Sequence, residues 1–134
     1  PSARFFSFAV ERVHMPRLLS TPTRFPQDGI AIDEFVGRAS NGDVRVSIAR
    51  LSSGAGWSEP PQRPEFDEYS LIISGALRAT NVETGEAITA RAGEVLFVPK
   101  GEKIQYSTPE ADGADYVAIC LPAFAPDLAR RDPE

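Results

Sequence analysis

The side chains that can do chemistry in this sequence are mainly carboxylates and tyrosines. Histidine and cysteine each occur once, as His14 and Cys120. A metal site that takes two histidines from one chain, an internal disulfide and a multi-cysteine zinc site are therefore excluded. Because the chain offers no histidine near Cys120 to activate its thiol, the sequence predicts a small core residue there rather than a nucleophile.

Turn-forming residues divide the chain into short segments. Twelve prolines and ten glycines occur among 134 residues, and residues 40–43, 92–94 and 99–101 predict turns. Turn signals recur roughly every 8–12 residues and separate short strands, a spacing that is typical of an all-β sandwich or barrel. The sequence therefore predicts an all-β domain.

Alternation of apolar and polar residues locates the strands. Residues 44–51 predict a strand with Val44, Val46 and Ile48 on one face and Arg45, Ser47 and Ala49 on the other. Residues 68–80 predict a long strand with a bulge or corner at Ser74-Gly75. Further strands are predicted over residues 87–91, 95–98, 103–107 and 115–121, and residues 30–38 predict a short strand or a turn-rich segment. Residues 17–29 predict an extended, proline-rich arm, and residues 57–64 an irregular segment.

The length fits one domain. Residues 1–14, which include His14, are interpreted as an N-terminal arm or upstream extension, and residues 15–134 as a single domain. Residues 5–13 alternate weakly and predict an additional strand, or one exchanged with a neighbouring copy.

Two spaced patterns resemble the motifs of the cupin superfamily. Glu68 and Gly75 are separated by six residues, and Gly93 is followed by Pro99 and Gly101 in a Gly-x5-Pro-x-Gly pattern. The resemblance covers roughly residues 57–121. It implies a small jelly-roll barrel, the cupin-type double-stranded β-helix. Residues 66–68, 85–86, 90–95, 98–101 and 107–109 resemble the EutQ-like (ethanolamine-utilisation) group, and residues 56–60 resemble a set of small bacterial single-domain cupins.

The sequence departs from this family at its metal ligands. A typical metal cupin has a His-x-His before the glutamate of the first motif and a third histidine in the second motif. By resemblance these positions fall on Gln62, Pro64 and Ile104, and only Glu68 of the four ligands is present. We therefore expect no metal and no other cofactor. An oxygen-rich substitute set of Glu59, Gln62 and Glu68, with Tyr106 or water, remains an alternative.

The resemblance implies that Glu68 points into the barrel. Burial would raise the pKa of its carboxyl unless Arg45 or Arg78 pairs with it. Glu68 would then serve as a general acid or base, and Tyr106 would donate a hydrogen bond to a developing oxyanion. In the alternative interpretation, Glu68 is a structural residue paired within the fold. The candidate substrate-binding residues are Trp57, Glu59, Gln62, Arg45, Ser47, Ser70, Ile104 and Cys120.

Three function classes follow from these residues. The first is a cupin that binds a small organic molecule and catalyses metal-independent isomerase, cyclase or lyase chemistry. The second is a non-catalytic binding or scaffold module, and the third is an unusual metalloenzyme with Glu and Gln ligands. The EutQ-like group is associated with acetate kinase activity, but residues 53–56 lack the lysine and the spacing of a phosphate-binding loop.

Charge and hydropathy limit the partners. The net charge is −5 and Lys100 and Lys103 are the two lysines, so we expect no nucleic acid. The apolar runs are much shorter than the ~20 residues of a membrane helix, and no signal-peptide pattern stands out. We therefore expect no membrane partner and a cytoplasmic location. A homodimer is expected because cupins commonly dimerise and because Leu71 and Ile73 lie opposite Ile72.

Overall fold

The computed structural model describes residues 15–19 and 21–133, and it is built almost entirely from β-strands. The all-β prediction is confirmed. The predicted N-terminal arm, with His14, lies outside the described residues. The strands are β1 Thr23–Phe25, β2 Ile30–Val36, β3 Ser47–Ser53, β4 Trp57–Ser58, β5 Asp67–Asn81, β6 Ala87–Arg91, β7 Val95–Val98, β8 Ile104–Thr108 and β9 Ala114–Leu121. One short helix, α1, covers Pro126–Ala129.

Strand β5 organises the fold. The strands follow the order β1-β2-β3-β9-β5-β8-β4, with β6 and β7 also paired to β5. Near its start, Glu68 of β5 lies between Val98 of β7 and Cys120 of β9. Near its end, Ala79 lies between Ile88 of β6 and Tyr106 of β8. One 15-residue strand thus belongs to two sheets, and the sheets curl around a shared interior.

The corner of β5 depends on glycine. The register with β9 shifts between Ile72 and Ser74, and Gly75 has φ of 76°. The bulge predicted at Ser74-Gly75 is confirmed. A Cβ atom on Gly75 would lie 2.1 Å from the carbonyl oxygen of Gly113. Both the positive φ and the close approach of another backbone require a residue without a side chain.

The interior is filled from all the major strands. Strand β9 alternates strictly and turns every second residue inward. The buried cluster contains Ile72, Leu77, Ala79, Ala90, Leu96, Val98, Ile104, Tyr106, Ala114, Tyr116 and Ala118. A second cluster lies where the C-terminal tail returns to the barrel, and there Phe66, Cys120 and Ala129 pack with Phe124 and Leu128.

The start of β3 differs from the prediction. The strand begins at Ser47, because residues 43–46 still form a turn around the Asp43 side chain. Its Oδ1 atom accepts hydrogen bonds from the backbone N–H of Arg45 at 2.8 Å and of Val46 at 3.4 Å. Alternation cannot detect this competing side-chain cap. Strand β1, which pairs with β2, also occupies part of the segment that was predicted as an arm.

Within residues 15–19 and 21–133, the structure contains no helix of the length and hydrophobicity that crossing a membrane requires.

We predict that Gly75→Ala destabilises the protein by about 2–5 kcal/mol, because it combines left-handed strain with overpacking. Gly85 is a matched control, since its φ is 80° but nothing lies within 4 Å of a Cβ at that position. Gly85→Ala should cost only about 1–2 kcal/mol, the conformational part. Urea unfolding of both variants measures the difference, and equal losses would contradict the close contact at the corner.

Candidate functional site

A cavity of about 580 Å³ opens between the two sheets and the C-terminal tail. Its walls come from β2, β3, β5, β8, β9 and the segment after β4. It brings together seven of the ten predicted site residues, namely Ser47, Trp57, Glu59, Gln62, Glu68, Tyr106 and Cys120. The lining is mostly apolar, which is typical of small-molecule sites.

The strand register places Glu68 in this cavity. Cys120 of β9 is the Cα partner of Glu68 on one side and of Ser47 on the other. Directly paired residues point to the same face of a sheet, so the three side chains form a row across β5, β9 and β3. The predicted inward orientation of Glu68 therefore agrees with the structure.

Burial, followed by the nearby charge of Glu59, raises the pKa of Glu68 to about 8. Hydrogen bonds from Cys120 and the positive charge of Arg131 oppose this rise only weakly. Neither arginine considered for pairing reaches the carboxyl, since Arg45 binds Asp43 and Arg78 contacts Thr89. The carboxyl group is therefore mostly protonated at neutral pH.

Tyr106 presents an unused donor beside Glu68. The residue is 4% exposed and lines the cavity, and within the described chain its hydroxyl has no hydrogen-bond partner of good geometry. It lies close enough to Glu68 to favour the carboxylate slightly. Burial, followed by the charge of Glu68, raises the pKa of Tyr106 well above its usual value. It therefore remains a neutral hydroxyl that can donate to a ligand.

Glu59 is the second buried acid of the site. Burial raises the pKa of Glu59 to about 7, and the charge of Arg131 opposes that rise. The Nη2 atom of Arg131 lies 3.2 Å from Glu59 Oε2 and 3.5 Å from Gln62 Oε1. The cavity thus holds one acid beside a cation and a second acid, Glu68, that forms no ion pair within the described residues.

Cys120 stays a thiol in this setting. Burial raises the pKa of Cys120 strongly, and the adjacent Glu68 raises it further. The thiol donates a hydrogen bond to the Glu68 carboxyl group. On its other side, a hydrogen bond with the Ser47 hydroxyl lowers the pKa of the thiol and so opposes part of the rise. A neutral, buried thiol is a poor nucleophile, which agrees with the prediction of a small core residue. Trp57 both lines the cavity and packs against the main core cluster.

Three predicted site residues do not reach the cavity wall. Arg45 was wrongly placed there: its side chain is 85% exposed and pairs with Asp43, because the turn at residues 43–46 directs it outward. Ser70 is buried with its hydroxyl unpartnered among the described residues, but it lies in the core. Ile104 is also a core residue, and it forms an isolated bridge with Gln62.

The donor set does not fit the metal site that the fold family implies. No group of three or more His, Cys, Asp and Glu side chains in residues 15–19 and 21–133 is arranged to hold a metal ion. Glu59 and Gln62, two members of the alternative ligand set, face the guanidinium of Arg131 instead. A cationic neighbour would oppose binding of a second cation there.

Sequence reasoning missed several polar residues of the cavity wall, among them Tyr116, Glu34 and Arg131. Tyr116 shares the inward face of β9 with Cys120, so alternation could have identified it. Glu34 is 2% exposed and accepts hydrogen bonds from the backbone N–H groups of Ala39 and Ser40, which makes it a structural anchor of the following turn. Arg131 lies in a tail without periodicity, and no sequence signal identifies it.

Part of the chain is similar in sequence to a known protein family. Residues 61–124 match the family described as "Ethanolamine utilisation protein EutQ". The chain is 43% identical over 105 residues to "Endoribonuclease YbeY" of Myxococcus xanthus, covering 78% of this chain and 35% of that protein. It is 38% identical over 58 residues to "Acetate kinase EutQ" of Clostridioides difficile, covering 43% and 34% respectively. The chain spans about a third of the length of these relatives.

Solved structures share the fold. The EutQ protein of Clostridium difficile superposes with a TM-score of 0.59 at 24% identity, covering 70% of this chain and 63% of that chain. Pac13 of Streptomyces, described as "a unique nucleoside dehydratase", superposes with a TM-score of 0.69 at 19% identity, covering 88% and 92%. The jelly-roll barrel, the match to the EutQ family over residues 61–124 and the sequence motifs all support the same family assignment. The chain is a EutQ-like cupin.

Proposed function

We propose that the cavity binds a small organic molecule and that Glu68 and Tyr106 catalyse metal-independent proton transfer on it. The observation that carries this proposal is a cavity-lining carboxyl group with a pKa of about 8 beside a buried tyrosine hydroxyl that has no hydrogen bond of good geometry within the described chain. The fold normally satisfies its buried polar groups, so a hydroxyl without a good hydrogen bond next to an acid of strongly raised pKa favours a ligand on this cavity wall.

Elimination of water from a β-hydroxy carbonyl compound illustrates the chemistry. Glu59, with a pKa of about 7, removes a proton from the carbon next to the carbonyl, and that electron pair forms the new double bond. The carbon–oxygen bond breaks, and the departing hydroxyl takes a proton from Glu68 and leaves as water. Tyr106 donates to the carbonyl oxygen as negative charge develops on it.

The relatives favour elimination over phosphoryl transfer. Pac13 is described as a nucleoside dehydratase and was solved with uridine, and dehydration belongs to the reaction class proposed here. The endoribonuclease and acetate kinase names belong to proteins about three times as long as the matched segment. Such names do not extend to a segment that covers about a third of those proteins, so we propose neither activity for this site.

We predict that Glu68→Gln reduces turnover by about 10²–10⁴-fold, because glutamine cannot transfer the proton. Tyr106→Phe should reduce it by about 10²–10³-fold through loss of the oxyanion donor. The assay uses chelator-treated protein with 4-hydroxybutan-2-one, further β-hydroxy carbonyl compounds and a panel of nucleosides in D₂O. Proton NMR follows deuterium exchange and formation of the unsaturated product.

Glu65→Gln is the matched control, because Glu65 is an exposed carboxylate next to β5, and it should retain full activity. Full activity in Glu68→Gln would end the acid–base role. Chemical-shift changes without exchange or product, for the whole panel, would instead identify a non-catalytic binding protein. Activity that disappears with the chelator and returns with added metal would contradict metal independence.

We predict that protein stability falls as the pH rises from about 5 to 8.5. The folded pKa of Glu68 is about 8 against an ordinary value of 4.5, so the folded state binds more protons than the unfolded state across this range. The loss should be on the order of a few kcal/mol. Glu68→Gln removes this ionisation, so its stability should fall less than that of the wild type.

Urea unfolding at pH 5 and pH 8.5 measures this effect. The carboxyl groups whose pKa is lowered, such as Asp115 beside Arg50, titrate below this range and do not mask it. The Glu65→Gln control should show the wild-type dependence. An identical decline in the wild type and in Glu68→Gln would show that Glu68 is already ionised in the folded protein.

We also propose a homodimer formed through the outer face of β5 and β7. Tyr69 and Phe97 are 40% and 46% exposed, and their ring centroids are 4.7 Å apart. Leu71, Ile73 and Val95 continue this apolar surface, each between 40% and 58% exposed. Contiguous exposed apolar residues of this kind favour association, and a self-complementary patch gives a two-fold dimer.

Leu71→Glu should convert the dimer to a monomer, because a charge would be buried at the interface. Light scattering coupled to size-exclusion chromatography measures the mass directly. Ile88→Glu is the control, since Ile88 is 62% exposed but lies on β6, outside this surface. A wild-type protein that is monomeric at high micromolar concentration would refute the proposal.

A further inference from the structure

The C-terminal tail returns to the cavity and is held there by hydrogen bonds on both sides of Arg131. Before it, the N–H groups of Glu65 and Arg63 donate to the carbonyl oxygens of Leu128 at 2.8 Å and Arg130 at 3.3 Å. After it, the N–H of Asp132 donates to Pro61 at 2.8 Å, and Lys103 forms a 2.7 Å ion pair with Asp132. The backbone next to the Arg131 side chain is therefore fixed.

The guanidinium of Arg131 is only partly used by the protein. Its Nη2 atom contacts Glu59 and Gln62. Within the described residues, its Nε and Nη1 atoms have no hydrogen-bond partner. The side chain is 34% exposed and lines the cavity, so donors of a fixed cation remain available to a molecule that enters. Each of these N–H groups can donate a charge-assisted hydrogen bond to a carboxylate oxygen.

We propose that Arg131 binds the carboxylate of a small planar organic acid, in place of the metal cation that the fold family implies at this end of the barrel. The proposal rests on the cavity being the ligand site named above, and it adds the chemical class of the ligand. Gln62, which stands at one of the histidine positions by resemblance, contacts Arg131. The positive charge at this end of the cavity thus comes from the chain itself.

The charge and the shape of the cavity favour a planar monoanion as the ligand. Glu59 lies 3.2 Å from Arg131, and when ionised it would repel a doubly charged phosphate more strongly than a single carboxylate. The aromatic rings of Phe25, Trp57, Phe66 and Phe124 line the same cavity, which suits a flat ring. Tyr106 supplies a free donor for a second polar group of that ring system.

Calorimetry and NMR titration with two matched pairs of probes test this proposal. Benzoate is compared with benzamide, and orotate with uracil, since each pair differs in the carboxylate. We expect at least one carboxylate to bind the wild type 10-fold or more tightly than its neutral partner. Arg131→Gln should lose that advantage, while the affinity for the neutral partner stays unchanged. Arg131→Lys should retain part of the preference for the carboxylate, because lysine keeps the positive charge but lacks the directional donors of the guanidinium.

Arg130→Gln is the control, since Arg130 is exposed on the same tail, and it should bind like the wild type. The proposal is overturned if the neutral probes bind as tightly as the carboxylates, if Arg131→Gln retains the preference, or if neither carboxylate binds at 10 mM. These measurements need no turnover. Benzoate or orotate binding that survives Glu68→Gln, in a protein without catalysis, would uphold this inference while the proposed reaction fails.

Discussion

An acidic side chain held inside an apolar cavity is the constraint on which the rest of this structure depends. Removing a carboxylate from water is costly unless a cation or several hydrogen bonds compensate. Glu68 receives only weak compensation, from Cys120 and from the more distant charge of Arg131. The group adapts by retaining its proton. The pairing of β5 with β9 imposes this position, because the same register that places Glu68 opposite Cys120 also buries Tyr116 and Ala118.

The two acids of the cavity differ because their neighbours differ. Glu59 lies 3.2 Å from a guanidinium nitrogen of Arg131, and its pKa, about 7, is lower than the value of about 8 for Glu68. The tail therefore does more than cover the end of the barrel. By placing a cation in contact with Glu59, it favours the ionised form of that carboxyl group more directly than the ionised form of Glu68. Separated pKa values of this kind are the usual basis for distinct roles in proton transfer.

The sequence predicted this fold well wherever backbone chemistry decides the outcome. Glycine at position 75 and the turn residues at 92–94 and 99–101 fix the corners, so strands β6 and β7 have the predicted bounds. Prediction was poorer where a side chain competes with the periodic pattern. The Asp43 carboxylate caps the N–H groups of residues 45 and 46. This cap delays the start of β3 and turns Arg45 outward, although alternation put it on the same face as Ser47 and the resemblance implied that this face is inside.

The candidate site was predictable only in part for a similar reason. Spacing and resemblance located Glu68, Tyr106 and Gln62, because these residues lie on strands or bridges whose register is set by the barrel. Arg131 follows a short helix in a tail held by irregular hydrogen bonds, and no local pattern encodes where such a segment returns. Contacts between distant parts of the chain, unlike turns and alternation, leave little trace in a single sequence.

The position of Arg131 gives a physical reason why this barrel can tolerate the loss of its histidines. In the implied metal site, a cation held by imidazoles would compensate the buried glutamate and polarise a ligand. Here Gln62 and Glu59 hold a guanidinium instead. A guanidinium stays charged at all relevant pH values and donates directional hydrogen bonds, but it has no empty orbital to accept a ligand. The fold therefore keeps a positive charge at this end of its interior, and that charge supports hydrogen bonding rather than coordination.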